Sequence, residues 1–564
     1  MTKITVRAYP FEVADKLVRQ GMHPTLARIY ASRGITGTDD ISTELADLHP
    51  PAGMHNIEKA AALLANAIES GKKICVIADY DCDGATACAV AIHALNMMGA
   101  KVTYLVPNRF DHGFGLTPTI VNEAIARHAP EVIVTVDNGI ASVDGIKEAV
   151  RHGLEVLVTD HHLPGELLPD NCIIVNPNQP DCQFQSKYLA GVGVIFYVML
   201  ALRAELRQRG RFDATTQPRL DGLLDLVALG TVADVVRLDK NNRILVAQGL
   251  KRITAGNMQT GMAALFRVSG REWINASTHD LGFLIAPRIN AAGRLEDMDI
   301  GIECLITDNV GSAWEIAEKL NKINIERREI ESSMHSEAIE ILKAFSPANR
   351  TSICVLNQNW HQGVIGIVAS RLKDIYYRPT FVFAANKDGL IRGSGRSIPG
   401  FHLRDAIDLV SKRHPDIITN FGGHALAAGL TMHASGYDRF YDAFEAVAKE
   451  QLGEIKPERI LLTDGVPDDS CYTLDFIRQL DSQVWGQGFE PPVFSDRFEV
   501  TSQRILKNRH LSLQLKKNRM TLPAIYFGHA DLLPKEALLA YRIAAHVYNG
   551  VTSVRLVINH AQAS

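Results

Sequence analysis

The sequence predicts an α/β protein built on a doubly wound parallel sheet, continued by a smaller α/β domain and a carboxyl-terminal β-barrel. Three observations predict it. From Lys72 to about Asp160, short β-branched runs (KKICVIAD, KVTYLVP, EVIVTVD, EVLVTD) alternate with helical periodicity (TACAVAIHALNMMG, TPTIVNEAIARH, VDGIKEAVRHG), as parallel strands joined by crossover helices do. From about Ala313 to Phe345 apolar residues recur at helical spacing among many charges, with neither Pro nor Gly, which predicts one long helix. After Pro457 the texture changes to short alternating runs (RFEVTSQRI, HLSLQLKK, LPAIYFG, YRIAAHVYN, SVRLVINHA) separated by turn signals, which predicts a small antiparallel barrel.

The elements order into five segments: a helical extension over 1–50, the parallel-sheet domain over 51–309, the connecting helix over 310–345, a second α/β domain over 346–452 and the barrel over 453–564. The extension carries no signal of its purpose. The second domain is read from strands ICVLN and PTFVFAA around the helical GVIGIVASRLKDI, and the polar segment Leu206 to Leu220 reads as an insertion between helices. A length of 564 residues is ample for several cores. The net charge of -4 excludes a uniformly basic coat, so a polyanion would be held by local patches. The eight cysteines form no C-x-x-C pair or finger spacing, the amino terminus lacks a signal-type apolar core, and the longest apolar run, Val192 to Leu202, falls short of the roughly 20 residues that span a bilayer. A cytoplasmic protein without a membrane role is expected.

The chemistry concentrates at predicted strand ends. In IADYDCDG, Asp79, Asp81 and Asp83 follow an apolar strand and precede a helix, and residues two apart on extended chain project to one side. Three carboxylates so placed repel unless cations sit among them. An EF-hand loop is excluded, because Val90 stands where a bidentate Glu is required and the preceding segment reads as a strand. Asp137 closes a second strand (VTVDNG), and Asp160, His161 and His162 close a third (VLVTDHH). One strand-end acid is commonly a cap or turn former, but three strand ends carrying acid or imidazole mark the ligand edge of a parallel sheet. In LLDLVALGTVADVV, Asp225 and Asp234 lie in an apolar context, where a buried carboxylate needs a cation or donors; Asp234 is preferred, while Asp225 reads equally well as a solvated helix residue. Oxygen-rich ligands with one or two imidazoles suit Mn2+ or Mg2+ better than a thiolate-type zinc site. Two such cations sharing a carboxylate would make a phosphoesterase, although these acids alone leave a non-phosphate hydrolase open.

The second domain offers donors for a phosphate. GSGRS and FGGHALAAG read as Gly-rich loops bringing Ser394, Arg396, Gly422, Gly423 and His424 to a substrate. His361, beside Trp360, could meet a phosphate or base, while Trp360 reads equally as core. In the barrel, Arg504, Lys507, Arg509, Lys516, Lys517 and Arg519 read as a basic stripe that tracks a single strand, against the alternative of a solvated edge.

Taken in order, DYDCDG, VDNG, DHH and TVAD resemble the DHH phosphoesterase superfamily, and PRINAAGR, HQGVIGIVASRL, GSGRS and FGGHALAAG extend the resemblance, over about residues 70 to 430, to its RecJ branch of single-strand-specific 5′ to 3′ DNA exonucleases. The resemblance implies a DHH catalytic domain, a DHHA1-type second domain and an OB-like barrel, with the strand held between the first two. It implies two divalent cations, Mn2+ or Mg2+, ligated by Asp79, Asp81, Asp83, Asp137, His161 and Asp234, with Asp137 bridging and Asp83, Asp137, His161 and His162 at the chemistry. Arg109, Arg288 and Arg294 enter as substrate contacts only through it. So do the 5′ polarity, a role in DNA repair and recombination, and partnership with a single-strand-binding protein and a helicase. Many members of the superfamily carry His two residues before the position of Asp79; here it is Ile77. A DHH enzyme acting on short oligonucleotides or cyclic dinucleotides is the alternative.

Overall fold

The computed structural model of the chain describes residues 2–108, 115–345, 350–386, 389–453 and 458–563; Arg109 lies outside them. Two compact units form, one from residues 4–321 together with 462–564, the other centred on 322–461. The long helix, Val310–Phe345, runs from the first unit into the second.

In the first unit, five parallel strands stand in the spatial order Lys101–Leu105, Lys73–Ala78, Val132–Val136, Glu155–Thr159, Ile173–Val175. Lys73–Ala78 and Val132–Val136 are buried almost throughout because both faces are covered: Cys75 and Ile77 enter one core, and Ile74, Val76 and Ala78 the opposite one. The chain leaves the first strand in one direction and returns on its other side, so the order reverses between Lys73–Ala78 and Val132–Val136. Ala78 pairs with Val136 there, and the next residues along the two strands are Asp79 and Asp137. Ligands bind at such a reversal, outside the carboxyl ends of the strands.

The barrel belongs to the same unit. Strands Phe494–Leu506, His510–Lys517, Met520–Tyr526, Glu536–Tyr548 and Val551–Ala563 close through a parallel pairing of the third with the fifth. Its apolar interior is continuous with the core beside the parallel sheet and with the amino-terminal helices Phe11–Arg19 and Pro24–Ala31. This gives the extension a purpose that its sequence does not show: it receives the segment leading into the barrel. Arg33 and Asp464 form an ion pair at 2.6 Å with side chains 1% and 3% exposed, Thr25 donates to Asp468 at 2.7 Å, and Tyr30 stacks on Trp485 and Phe489. Removing either partner of so buried a pair would strand a charge.

The second unit has a mixed sheet in the order Ile418–Gly423, Ala427–His433, Leu390–Arg396, Thr380–Ala385, Ile353–Leu356, parallel only between the last two. GSGRS and FGGHALAAG are therefore largely strand, which corrects the loop reading. Gly393 and Gly395 are small because a Cβ would strike the rings of Phe383 and Phe381, at 2.4 and 2.5 Å. Trp360 is core, with its indole N–H on Glu337 of the long helix at 2.9 Å.

Candidate metal centre and nucleic-acid interface

Each acid is placed by a separate local device. Asp81 is the N-cap of helix Cys82–Met97 and accepts the amides of Asp83 and Gly84 at 2.9 and 3.0 Å. Asp83, in the first turn, accepts the amides of Gly191 and Val192 at 2.6 and 3.0 Å, the N-terminus of helix Gly191–Gln208. Asp137 adopts φ 64 just past its strand, and Gly191 lies so close that a Cβ there would meet the Asp137 side chain at 2.5 Å. Asp234 caps the carboxyl end of helix Leu224–Ala233.

These acids converge on one imidazole. His161 Nε2 lies 3.1 Å from Asp137, 3.4 Å from Asp234 and 4.0 Å from Asp83. Burial, and then the neighbouring His162, holds the His161 pKa down at about 4, so these contacts are not ion pairs. Neither His161 Nε2 nor Asp137 Oδ1 has a hydrogen-bond partner among the described residues. Two buried lone-pair atoms facing each other with no hydrogen-bond partner fit a shared cation. Burial, with Asp81 next, raises Asp83 to about 7, and burial, with Asp83 next, raises Asp137 and Asp234 well above the carboxylate range. A divalent ion removes that penalty. Among the described residues, three ligand groupings form in this cluster: Asp79, Asp81 and Asp137; Asp83, His161 and Asp234; and Asp137 with His161 and His162. Asp137 belongs to two of them.

Asp160 stands behind this cluster. It accepts from Ile140 N–H at 2.9 Å, from His161 N–H at 2.7 Å and from His162 Nδ1 at 2.8 Å. Burial alone would lower the His162 pKa, but the Asp160 hydrogen bond and charge outweigh it and raise it to about 9. Three further supports escaped the sequence reading. Asn178 and Asn176 donate side-chain N–H to the carbonyls of His161 and His162, at 2.7 and 3.0 Å, and Asn290 accepts the Cys82 amide at 2.9 Å. The N-P-N following the strand-like IIV was the available signal. Ile77 is fully buried in the sheet core, so the first grouping is all carboxylate. Asp225 is corrected from a solvated candidate: it is fully buried away from the ligand groupings, accepting the Gln259 amide at 2.6 Å.

Of the phosphate candidates, Ser394 and Arg396 come together. Arg396 Nη1 lies 3.2 Å from Ser394 Oγ, and both side chains sit within 3.0 Å of where a Cβ on Gly366 would be, at the start of helix Ile365–Tyr376. Ser394 pairs across the sheet with Gly429, which pairs with exposed Gly422, so bare backbone adjoins them. Gly423 and exposed His424 form the adjoining hairpin, with Gly423 at φ 136. His361 is exposed, and its Nδ1 accepts the Gly363 amide at 3.1 Å. Arg294 is half-buried on helix Ala286–Leu295. Arg288, on the same helix, is 8% exposed and donates to the Leu284 carbonyl and to Asn321, partners that make it a strut first.

The basic residues of the barrel fall into two separate groups. Lys507 and Arg509 lie at the hairpin before strand His510–Lys517 and Lys516, Lys517 and Arg519 at its other end, about 24 Å apart at strand rise. Lys517 is drawn into an ion pair with Asp496 at 2.6 Å, its side chain 12% exposed, and Lys516 is 3.8 Å from Glu499. Only Lys507, Arg509, Arg504 and Arg519 remain outward among the six without an ion pair among the described residues.

Among the described residues no helix is long and apolar enough to cross a membrane. Family models match in the same order as the domains: the DHH family N-terminal domain over 73–231, the DHHA1 domain over 350–450 and the RecJ OB domain over 463–560. The chain is 43% identical over 551 residues to the single-stranded-DNA-specific exonuclease RecJ of Dickeya dadantii, covering 95% of each, and 42% identical to that of Escherichia coli, again over 95% of each. The crystal structure of RecJ from Thermus thermophilus in complex with Mn2+ superposes with a TM-score of 0.84 at 28% identity, covering 100% of this chain and 79% of that one. With those identities along nearly its whole length, the chain belongs to the RecJ family of single-stranded-DNA-specific exonucleases.

Proposed function

We propose that this chain is a divalent-metal-dependent exonuclease that hydrolyses single-stranded DNA from its 5′ end, acting in the cytoplasm in DNA repair and recombination. The observation that carries the reading is the meeting of His161 Nε2 with Asp137, Asp234 and Asp83 within 4.0 Å, in a buried site where the closest pair makes no hydrogen bond.

Asp79, Asp81 and Asp137 would hold one cation and Asp83, His161 and Asp234 the other, with Asp137 shared. Bound there, divalent cations supply the charge that makes water a nucleophile near neutral pH and stabilises the leaving oxygen. The amides of Gly191 and Val192 fix the Asp83 carboxylate, so it cannot swing away when substrate charge arrives. Asp160 engages His162 through Nδ1 and presents Nε2 as the nitrogen for a phosphate oxygen. Ser394 and Arg396, with the amides opening helix Ile365–Tyr376, offer donors to a terminal phosphate.

The test is digestion of end-labelled single and double strands with Mn2+ or Mg2+. Mononucleotides released first from the 5′ end of single strands are expected. Attack on duplexes at the same rate, or no turnover of strands longer than a few nucleotides, would overturn the reading.

A further inference from the structure

We infer that the turn Trp485–Phe489, in the segment that leads into the barrel, is a positioning element for the metal ligands. The inference rests on the cation-binding reading of the acid cluster.

The turn is tight and specific. Gly486 and Phe489 exchange amide-to-carbonyl hydrogen bonds at 3.0 and 3.1 Å, and Gly488 holds φ 70. One side is bolted to the amino-terminal extension: Trp485 and Phe489 stack 5.2 Å apart, both against Tyr30, with Arg33 over Trp485. The other side meets the loop that follows Asp234. The Gln487 carbonyl accepts the Leu238 amide at 2.8 Å, and the Trp485 carbonyl accepts from Thr278 at 2.7 Å. A Cβ on Gly486 would meet Leu238 at 2.5 Å, and one on Gly488 would meet Arg237 Cγ at 2.5 Å. Arg243, on the helix that follows the loop, covers the Phe489 ring at 4.3 Å.

That loop needs bracing. Val235, next to Asp234, takes φ 59, a left-handed conformation that a β-branched residue resists, so the surroundings must impose it. From the loop the contacts run on to the other ligands. Asp239 accepts from Ser186 at 2.7 Å, Asn242 donates to the Tyr188 carbonyl at 2.6 Å, and Arg237 lies over the Tyr188 ring at 5.4 Å. Residues 186–190 lead directly into the Gly191 and Val192 amides that grip Asp83. One turn, more than 250 residues from Asp234 in sequence, thus supports the second ligand grouping from behind while touching none of its members.

The experiment uses full-length protein with Gly488→Ala and, as a milder change that keeps shape, Thr278→Val. Mn2+ binding is measured directly from the electron paramagnetic resonance signal of the uncomplexed ion, alongside kcat and KM on a long single strand and thermal unfolding. Gly488→Ala is expected to weaken Mn2+ binding at least fivefold and to lower kcat with KM unchanged; Thr278→Val is expected to weaken it about twofold. Wild-type Mn2+ affinity in folded Gly488→Ala, or in Thr278→Val if the former does not fold, overturns the inference, even where the melting temperature drops. Failure of the parent reading shows separately, as Mn2+ binding that survives Asp137→Ala in a protein otherwise unchanged.

Discussion

His161 Nε2 and Asp137 Oδ1 approach to 3.1 Å inside the protein, and neither makes a hydrogen bond. By contrast Asp83, 4.0 Å from the same imidazole nitrogen, has both oxygens occupied by backbone amides. The two acids therefore differ in what their loss leaves behind. Asp137→Ala removes a ligand and relieves like-charge repulsion, so activity should disappear while stability without metal holds or rises. Asp83→Ala strands two buried amides, at about 1 to 3 kcal/mol each, so it should lose both activity and stability. Urea unfolding of the metal-stripped proteins beside Mn2+-dependent hydrolysis separates the cases. Substantial turnover by a well-folded Asp137→Ala protein would sink the shared-ligand assignment.

Arg396 is tethered to Ser394 at 3.2 Å, beside bare glycine backbone and the opening of a helix. A donor group of this kind suits a doubly charged terminal phosphate better than an internal diester. Arg396→Ala should reduce the preference for 5′-phosphorylated over 5′-hydroxyl strands by tenfold or more, with internal strand binding little changed. Rates on both ends are the measurement, and equal losses on both would leave Arg396 only a backbone grip.

What the sequence disclosed follows a physical divide. Asp79, Asp137 and the Asp160-His161-His162 triplet were legible because period-two apolar runs locate strand ends, and a parallel sheet places those ends side by side. Asp234 was legible as an acid in an apolar run, although the same logic left Asp225 ambiguous, since a run does not say which buried acid finds amides. Gly393 and Gly395 misled because a glycine that makes a turn and one that admits a Phe ring look alike in sequence. Arg33 and Asp464 were invisible as a pair, being 431 residues apart. Lys517 read as a phosphate contact because nothing local announces Asp496 on the neighbouring strand.

Asp225 makes a separate prediction about pH. Burial raises its pKa to about 6, against its hydrogen bond from Gln259, while the unfolded value is about 3.9. The folded state then binds the proton more tightly than the unfolded chain does. Its stabilising contribution is complete below about pH 4 and is lost as pH rises through about 6. Asp225→Asn keeps an acceptor for the Gln259 amide but cannot ionise. The stability of the wild type relative to this variant should fall by about 2 kcal/mol from pH 4 to pH 7, the other titrations cancelling in the difference. Parallel urea titrations at several pH values would show it, and a difference that does not vary with pH would refute it.

The barrel's role in strand affinity now rests on fewer residues than the sequence offered. Lys507 and Arg509 are exposed at one hairpin, whereas Lys517 is committed to Asp496 and packs its ammonium 5.5 Å from the Tyr472 ring. Tyr472 in turn hydrogen-bonds Tyr541 at 2.6 Å inside the barrel, so Lys517→Ala should lower stability and leave strand binding nearly intact. Each phosphate contact on a single strand contributes about 0.7 to the slope of log affinity against log salt, so Lys507/Arg509→Ala should lower that slope by about 1.4. Cutting the chain after Gly453 would not isolate the barrel's contribution, because it removes Asp464 and the Trp485–Phe489 turn and uncovers Tyr30 and Arg33. Point variants are the informative route, with binding of a long strand followed from low to moderate salt. An unchanged slope in Lys507/Arg509→Ala would mean that this hairpin is a solvated edge, and the strand-binding face of the barrel would have to be sought on its other strands.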